Sequence, residues 1–352
     1  MKLARRKNAA GWLAAAAAAA IAVSPLAPAG HAAAAQSPYK IIEQAIDVDG
    51  TKSNLSALNT DNTTYVAIRS LNDSIGLNTD WNRENKTVTV TGRDRELVLS
   101  LEDGSATLNE QRIYGLPAIV QNDTTYVPFR FLLERMGYGV AYDSSTKTIG
   151  IETIRENELR LVTEKIEVTG EKKRILIHYP RLTGYADEAV QKKINETLKN
   201  DAELNAEIAR ESLDDSVGEI DSSSESVFEG TYTITYNEQN KLSLYVDYYI
   251  YTGGAHGSVA RATYTFDLAT GNLLKLKDAA GGNENYVRII NAEIQSQIKA
   301  RKIPLIVPFQ TIEPDRDFFL KHNGVVVYFG QYEYAPYAAG MPEFEIPFSA
   351  FK

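Results

Sequence analysis

The sequence predicts an α+β protein of two domains, each a mainly antiparallel sheet packed with helices. Three observations predict it. The first half repeats itself at an offset of 61 residues, each copy reading strand, helix, turn, strand. The second half carries period-two runs such as Leu242–Tyr251, the mark of half-buried strands. Between those runs lie two helical stripes: Val190, Ile194 and Leu198, then Val287, Ile290, Ile294 and Ile298.

Residues 1–35 read as a signal peptide rather than as structure. Lys2, Arg5, Arg6 and Lys7 precede an apolar run from Trp12 to Val23, and Ala33–Ala35 offers a cleavage site near Ala35. The run is short for a membrane span, which needs roughly 20 residues. No later stretch is apolar enough to cross a bilayer. Cleavage would release the chain to the extracellular space or cell wall; retention would anchor it. There is no cysteine, so thiolate metal sites and cysteine nucleophiles are excluded and the cores alone hold the fold. The net charge of −9 becomes −13 without the four leader cations. Ten acidic residues and one basic residue, Arg210, lie between Asp201 and Glu229. That balance excludes a nucleic-acid partner and suits a cationic one. A solvated helix face and loop would carry the same residues.

Residues 36–154 form the first domain. Thr63–Arg69 aligns with Thr124–Arg130, and the register then holds: Leu71 with Leu132, Gly76 with Gly137, Trp81 with Tyr142, Lys86–Val88 with Lys147–Ile149. Tyr65-Val66 and Tyr126-Val127 are short strands. Phe129, Leu132, Leu133 and Met136 mark the clearer of the two helices. Gly76 and Gly137 stop the helices, and Thr87–Val90 and Thr148–Ile151 close each copy. Residues 39–152 resemble the copper amine oxidase N-terminal-like domain, with its Tyr-Val-Pro-x-Arg core and closing Lys-Thr-Ile strand. In the oxidases that domain is a stalk, so the resemblance implies a spacer. No histidine lies between Gln36 and Ile177, so no copper site is carried over. Arg69 and Arg130 either hold a wall carboxylate or phosphate or pair locally. Trp81 is placed in the core rather than as a sugar platform. Because the repeat closes its own core, a fragment from 155 to 352 is expected to fold alone.

Residues 155–352 form the second domain, in parts of about 160–250 and 251–350. A strand over Ile175–Tyr179 is expected to end at Pro180, and Gly184–Asp187 opens the first helix. Strands over Thr231–Tyr236 and Leu242–Tyr251 follow. Leu244, Val246, Tyr248 and Ile250 share one face of the latter; Tyr245, Asp247, Tyr249 and Tyr251 share the other. A turn with Gly253, Gly254 and Gly257 around His256 leads to a strand at Thr263–Asp267, and Leu268–Asn272 is a hairpin loop. The second helix spans about Asn283 to Ala300. Asn323-Gly324 joins Phe318–Leu320 to Val325–Phe329 as a hairpin, and Glu343–Pro347 is the last strand.

Tyr179–Gly184 with Ile194-Asn195, the Tyr249–Tyr264 turn, the Phe266-Asp267-x-x-Thr270-Gly271 hairpin and the Tyr332–Gly340 ending together resemble a secreted two-part module of Gram-positive bacteria. That module is the lysozyme-binding extracellular part of RsiV-type anti-sigma factors, and also precedes the catalytic domain of a peptidoglycan deacetylase. The resemblance implies a non-catalytic envelope protein whose partner is a cationic lysozyme-type muramidase or peptidoglycan. Neither the sigma-factor-binding segment nor the deacetylase's metal-binding domain is recognisable, so neither activity is carried over.

Of the 20 tyrosines, 14 follow residue 170. Aromatics on small-residue loops suit recognition, which nominates Tyr251, His256, Tyr332, Tyr334, Pro336 and Tyr337 as the binding surface. His178, His256 and His322 show no metal-ligand spacing, so no metal or cofactor is expected. No phosphate loop or nucleophile elbow occurs. The alternative is a wall-glycan hydrolase using His256 with Asp247 or Asp267.

Overall fold

The computed structural model describes residues 39–60, 63–113, 117–216 and 225–352. The leader and part of the acidic stretch, residues 217–224, lie outside them. The first domain runs β1 (Ile41–Val48), β2 (Thr51–Thr60), β3 (Thr63–Ala67), α1 (Ser70–Ile75), β4 (Asn78–Asn82), β5 (Thr87–Gly92), β6 (Arg95–Ser100), β7 (Ala106–Leu108), β8 (Gln111–Ile113), β9 (Ile119–Gln121), β10 (Thr124–Pro128), α2 (Phe129–Arg135), β11 (Tyr138–Asp143) and β12 (Thr148–Thr153).

The repeat is structural. Its copies are β3–α1–β4–β5 and β10–α2–β11–β12. β3 and β10 pair antiparallel with Val66 opposite Val127, its own equivalent, so a pseudo-twofold axis passes between them. Gly76 and Gly137 both take left-handed φ, as do the turn residues Lys86 and Lys147. The copies then part. β11 and β12 join a seven-stranded sheet of order β11-β12-β1-β2-β3-β10-β9, whereas β4 and β5 begin a five-stranded sheet, β4-β5-β6-β7-β8. Leu71, Val88, Val90, Phe129, Leu132, Leu133, Ile149 and Ile151 fill one core between them.

Trp81 departs from expectation. It is 48% exposed, and its equivalent Tyr142 is 55% exposed. Both sit on edge strands of their sheets, where no neighbouring strand covers them. Arg130 pairs locally, with Glu134 and the Val140 carbonyl.

The second domain opens with β13 (Arg160–Gly170), β14 (Lys173–Thr183), α3 (Glu188–Ser216), β15 (Ser226–Glu238), β16 (Lys241–Tyr251), β17 (Ser258–Asp267) and β18 (Asn272–Leu273), the strands forming one sheet in chain order. β14 runs through Pro180 instead of ending there; Pro180 pairs with Thr163 on β13. β15 flanks β14 only at Lys173–Ile177, so Pro180 lies where the strand has one free side, a place that tolerates a residue without N–H. α3 is the parallel crossover. Its stripe extends past Leu198 through Ala202, Ala206, Ala209 and Leu213, all buried, while Glu203, Glu207, Glu211 and Asp214 face solvent. The second part adds α4 (Leu276–Ala279), α5 (Tyr286–Arg301), β19 (Phe318–Lys321), β20 (Gly324–Tyr328) and β21 (Glu343–Pro347). One face of this three-stranded sheet packs on α5 through Phe318, Val325, Val327 and Phe344. The other, Phe319, Val326 and Tyr328, meets Tyr245 of β16.

The domains meet in a polar seam. Beyond Gly230, β14 no longer flanks β15, and the Tyr232 backbone is left without a strand partner on that side. Gln111 of β8 takes its place: Nε2 donates to Tyr232 O at 2.6 Å and Oε1 accepts from Tyr232 N at 3.0 Å. Just past the boundary, Asn157 of the second domain donates its N–H to Asn237 O at 3.1 Å, farther along the same strand. Arg95 donates to both oxygens of Glu156.

His322 closes the seam. Its Nδ1 lies 2.8 Å from Glu238 Oε1 and its Nε2 lies 3.2 Å from Glu152 Oε2. A Cβ at Gly139 would stand 2.5 Å from the ring, so only glycine admits the histidine there. The hydrogen bond to Glu238 outweighs burial and, with Glu152, raises the imidazole pKa from 6.5 to about 9. This contribution to stability is complete below pH 6.5 and disappears as pH rises through about 9. Urea denaturation is expected to show a loss of stability between pH 7 and 9.5 that His322→Gln flattens. An identical slope in the variant would show that His322 does not carry it.

Candidate functional site

The turn from β16 to β17 is shaped by its glycines. Gly253 and Gly254 take φ of 98° and 94°, values that side chains disfavour. At Gly257 a Cβ would come within 2.4 Å of the Tyr249 ring and 2.5 Å of Ile250 O, so the chain can turn back over that ring only without one. Tyr251 folds back on the turn, its hydroxyl donating to Gly254 O at 3.1 Å. His256 Nδ1 donates to Gly257 O at 3.0 Å.

The C-terminal loop comes alongside. The His256 ring stacks on Tyr337 with centroids 3.9 Å apart and planes at 24°. Tyr332 follows on Tyr337 at 5.8 Å. Gln331 Oε1 accepts from Val259 N at 3.0 Å, tying the loop to the start of β17. Three of the six nominated residues, His256, Tyr332 and Tyr337, therefore form one ladder of rings. Tyr332 is 49% exposed and has φ of +62°, a strained conformation for an aromatic residue. Arg316 supports it from beneath: its guanidinium donates to both oxygens of Glu333 at 2.5 and 2.6 Å and to Tyr328 O, and Glu333 accepts from Gly330 N.

The other three do not join the ladder. Tyr334 packs its ring 4.4 Å from Phe329 and 5.5 Å from Phe309, and burial raises its phenol pKa. Pro336 begins a single 3-10 turn, its carbonyl accepting from Ala339 N. Tyr251 is occupied by its own turn.

Arg261, which residue typing did not single out, joins the two halves. Its side chain is 6% exposed. Nε and Nη2 donate to Asp247 at 2.6 and 2.8 Å, Nη1 donates to Glu343 at 2.7 Å, and the guanidinium lies 3.8 Å over the Tyr245 ring. Burial opposes the charge, but Asp247 and Glu343 more than offset it and hold the pKa well above the usual guanidinium value. Arg261 lies four residues beyond Gly257 and Glu343 three beyond Gly340, so the pair fixes the spacing of the two loops. Only the hairpin register, which places Asp247 opposite Arg261, could have signalled it.

The hydrolase arrangement does not form. Both Asp247 oxygens are held by Arg261. Asp267 caps its own hairpin at Ala269 N and the Thr270 hydroxyl. Neither carboxylate orients His256. Among the described residues no group of three or more His, Cys, Asp or Glu side chains is placed to hold a metal, and no helix is long and apolar enough to cross a membrane.

Comparison with known proteins matches three stretches of the chain. Residues 47–151 match the family model of the copper amine oxidase N-terminal domain. Residues 166–259 match deacetylase PdaC, and residues 277–349 match a family of unknown function, DUF3298. The anti-sigma-V factor RsiV of Bacillus subtilis is 28% identical over 197 residues, covering 52% of this chain and 66% of RsiV, just under two thirds of that relative. DUF3298-family crystal structures from Bacteroides fragilis and Pseudomonas aeruginosa superpose with TM-scores of 0.43 and 0.41 at 18% identity, each covering 56% of this chain and 93% of its own. The chain is thus similar to the copper amine oxidase N-terminal domain in its first part and, over about half its length, to an anti-sigma-V factor.

Proposed function

We propose that this is a non-catalytic binding protein of the cell envelope whose second domain binds a cationic, lysozyme-type muramidase. The observation that carries the reading is the ladder Tyr332–Tyr337–His256, which gathers residues from two distant loops and keeps a strained tyrosine half exposed. Strain held beside a half-buried ion pair at an exposed ring suits preorganised recognition. The exposed acidic face of α3 suits a cationic partner, whose approach it would steer. The similarity to RsiV supports the same class of role.

The test is binding of lysozyme to the immobilised protein. Tyr337→Ala and His256→Ala are each expected to weaken binding by about 1–4 kcal/mol while Tm stays near wild type. The two should be less than additive, because each removes the same stacked contact. Unchanged affinity in both, with Tm lowered, would make the ladder a framework device and overturn the surface. Wall peptidoglycan, presented separately, would bind instead of lysozyme if the same surface reads sugars.

A further inference from the structure

The exposed aromatics of the first domain have no part in that surface. Trp81 and Tyr142 occupy equivalent positions in the two copies of the repeat. Each lies opposite a buried core residue, Val88 for Trp81 and Ile149 for Tyr142. Each is on an edge strand just before the hairpin turn, and each stays about half exposed. The two hairpins belong to different sheets, so their packing surroundings differ, yet both keep a flat ring at the rim. No other large hydrophobic residue of either hairpin is exposed. The residues next to each ring in the strand point to the other face, and the exposed residues two positions on, Arg83 and Ser144, are polar. A protein–protein interface would be expected to extend each ring into a larger apolar area. A single ring among polar groups instead suits the apolar face of a pyranose, whose hydroxyls are met by polar neighbours. Two copies of one platform suit a ligand that itself repeats.

We propose that the first domain is a two-site binding module for an extended glycan, with Trp81 and Tyr142 as its stacking platforms. The domain then holds the protein on a wall polysaccharide, leaving the ladder of the second domain free. This does not depend on what the second domain binds.

The sequence supplies a direct reporter, because Trp12 and Trp81 are the only two tryptophans. In a full-length Trp12→Phe chain, Trp81 emission is expected to shift to the blue on titration with soluble N-acetylglucosamine hexamer. Emission unchanged at saturating sugar would overturn the proposal at that platform. Sedimentation with purified, insoluble peptidoglycan tests the pair. Trp81→Ala and Tyr142→Ala are each expected to raise the apparent Kd by about 10-fold or more through lost bivalency, and the double variant to abolish cosedimentation. Trp81→Phe and Tyr142→Phe keep a ring over the core rim and are expected to retain binding, which separates loss of the platform from loss of fold. His256→Ala and Tyr337→Ala should cosediment like wild type. If they alone lose glycan binding while the double rim variant keeps it, the glycan site belongs to the second domain and this assignment fails.

Discussion

Gln111→Ala is expected to destabilise the protein by about 2–4 kcal/mol, because it leaves a buried backbone donor and a buried acceptor on Tyr232 without partners. Gln111 is 2% exposed, and its amide fits the Tyr232 N–H and C=O as a strand would. Glu at this position accepts but cannot donate when ionised, so Gln111→Glu should cost at least as much. Chemical denaturation followed by circular dichroism measures both. The same seam modifies the expected behaviour of the 155–352 fragment. Its own cores remain, but the outer half of β15 loses its cover and offers an open strand edge to other chains. The fragment is therefore expected to fold with reduced stability and to self-associate. A monomeric fragment as stable as the whole chain, together with a neutral Gln111→Ala, would show that the seam contributes nothing.

Arg261→Met should cost about 3 kcal/mol, since it strands two half-buried carboxylates. Asp247 loses both of its guanidinium hydrogen bonds. Glu343 keeps only Lys321, at 3.5 Å. Arg261→Lys is not a conservative rescue, because an ammonium cannot reproduce the fork that reaches Asp247 and Glu343 together. Adding Asp247→Asn to Arg261→Met should recover part of the loss by removing the stranded charge. The folded fraction of Arg261→Met should also bind its partner less well, as the turn and the C-terminal loop lose their common brace. An unfolding midpoint equal to wild type in Arg261→Met would mean that the cluster is not a structural tie.

Much of this was legible in the chain. The 61-residue repeat needed no structure, because each copy carries its own strand, helix stop and turn residues, and those local preferences are satisfied in place. The stripes of α3 and α5 and the faces of β16 were readable for the same reason: periodicity records which side meets the core. The glycine turn was readable because left-handed backbone and close approach leave few residues to choose from.

What the sequence by itself determined, then, was the class of fold, the duplication and the aromatic loops. Only the tertiary structure decided which sheet each hairpin joins, that Trp81 stands at an uncovered edge, and that Tyr334 packs on Phe329 while Tyr332 is exposed. It alone revealed Gln111, Arg261 and His322, whose partners lie 121, 82 and 170 residues away at the farthest. The physical reason is one of range. Backbone preference and burial periodicity act over a few residues and leave a trace in the local pattern, whereas a hydrogen bond or ion pair between distant strands depends on register and packing that no local pattern specifies.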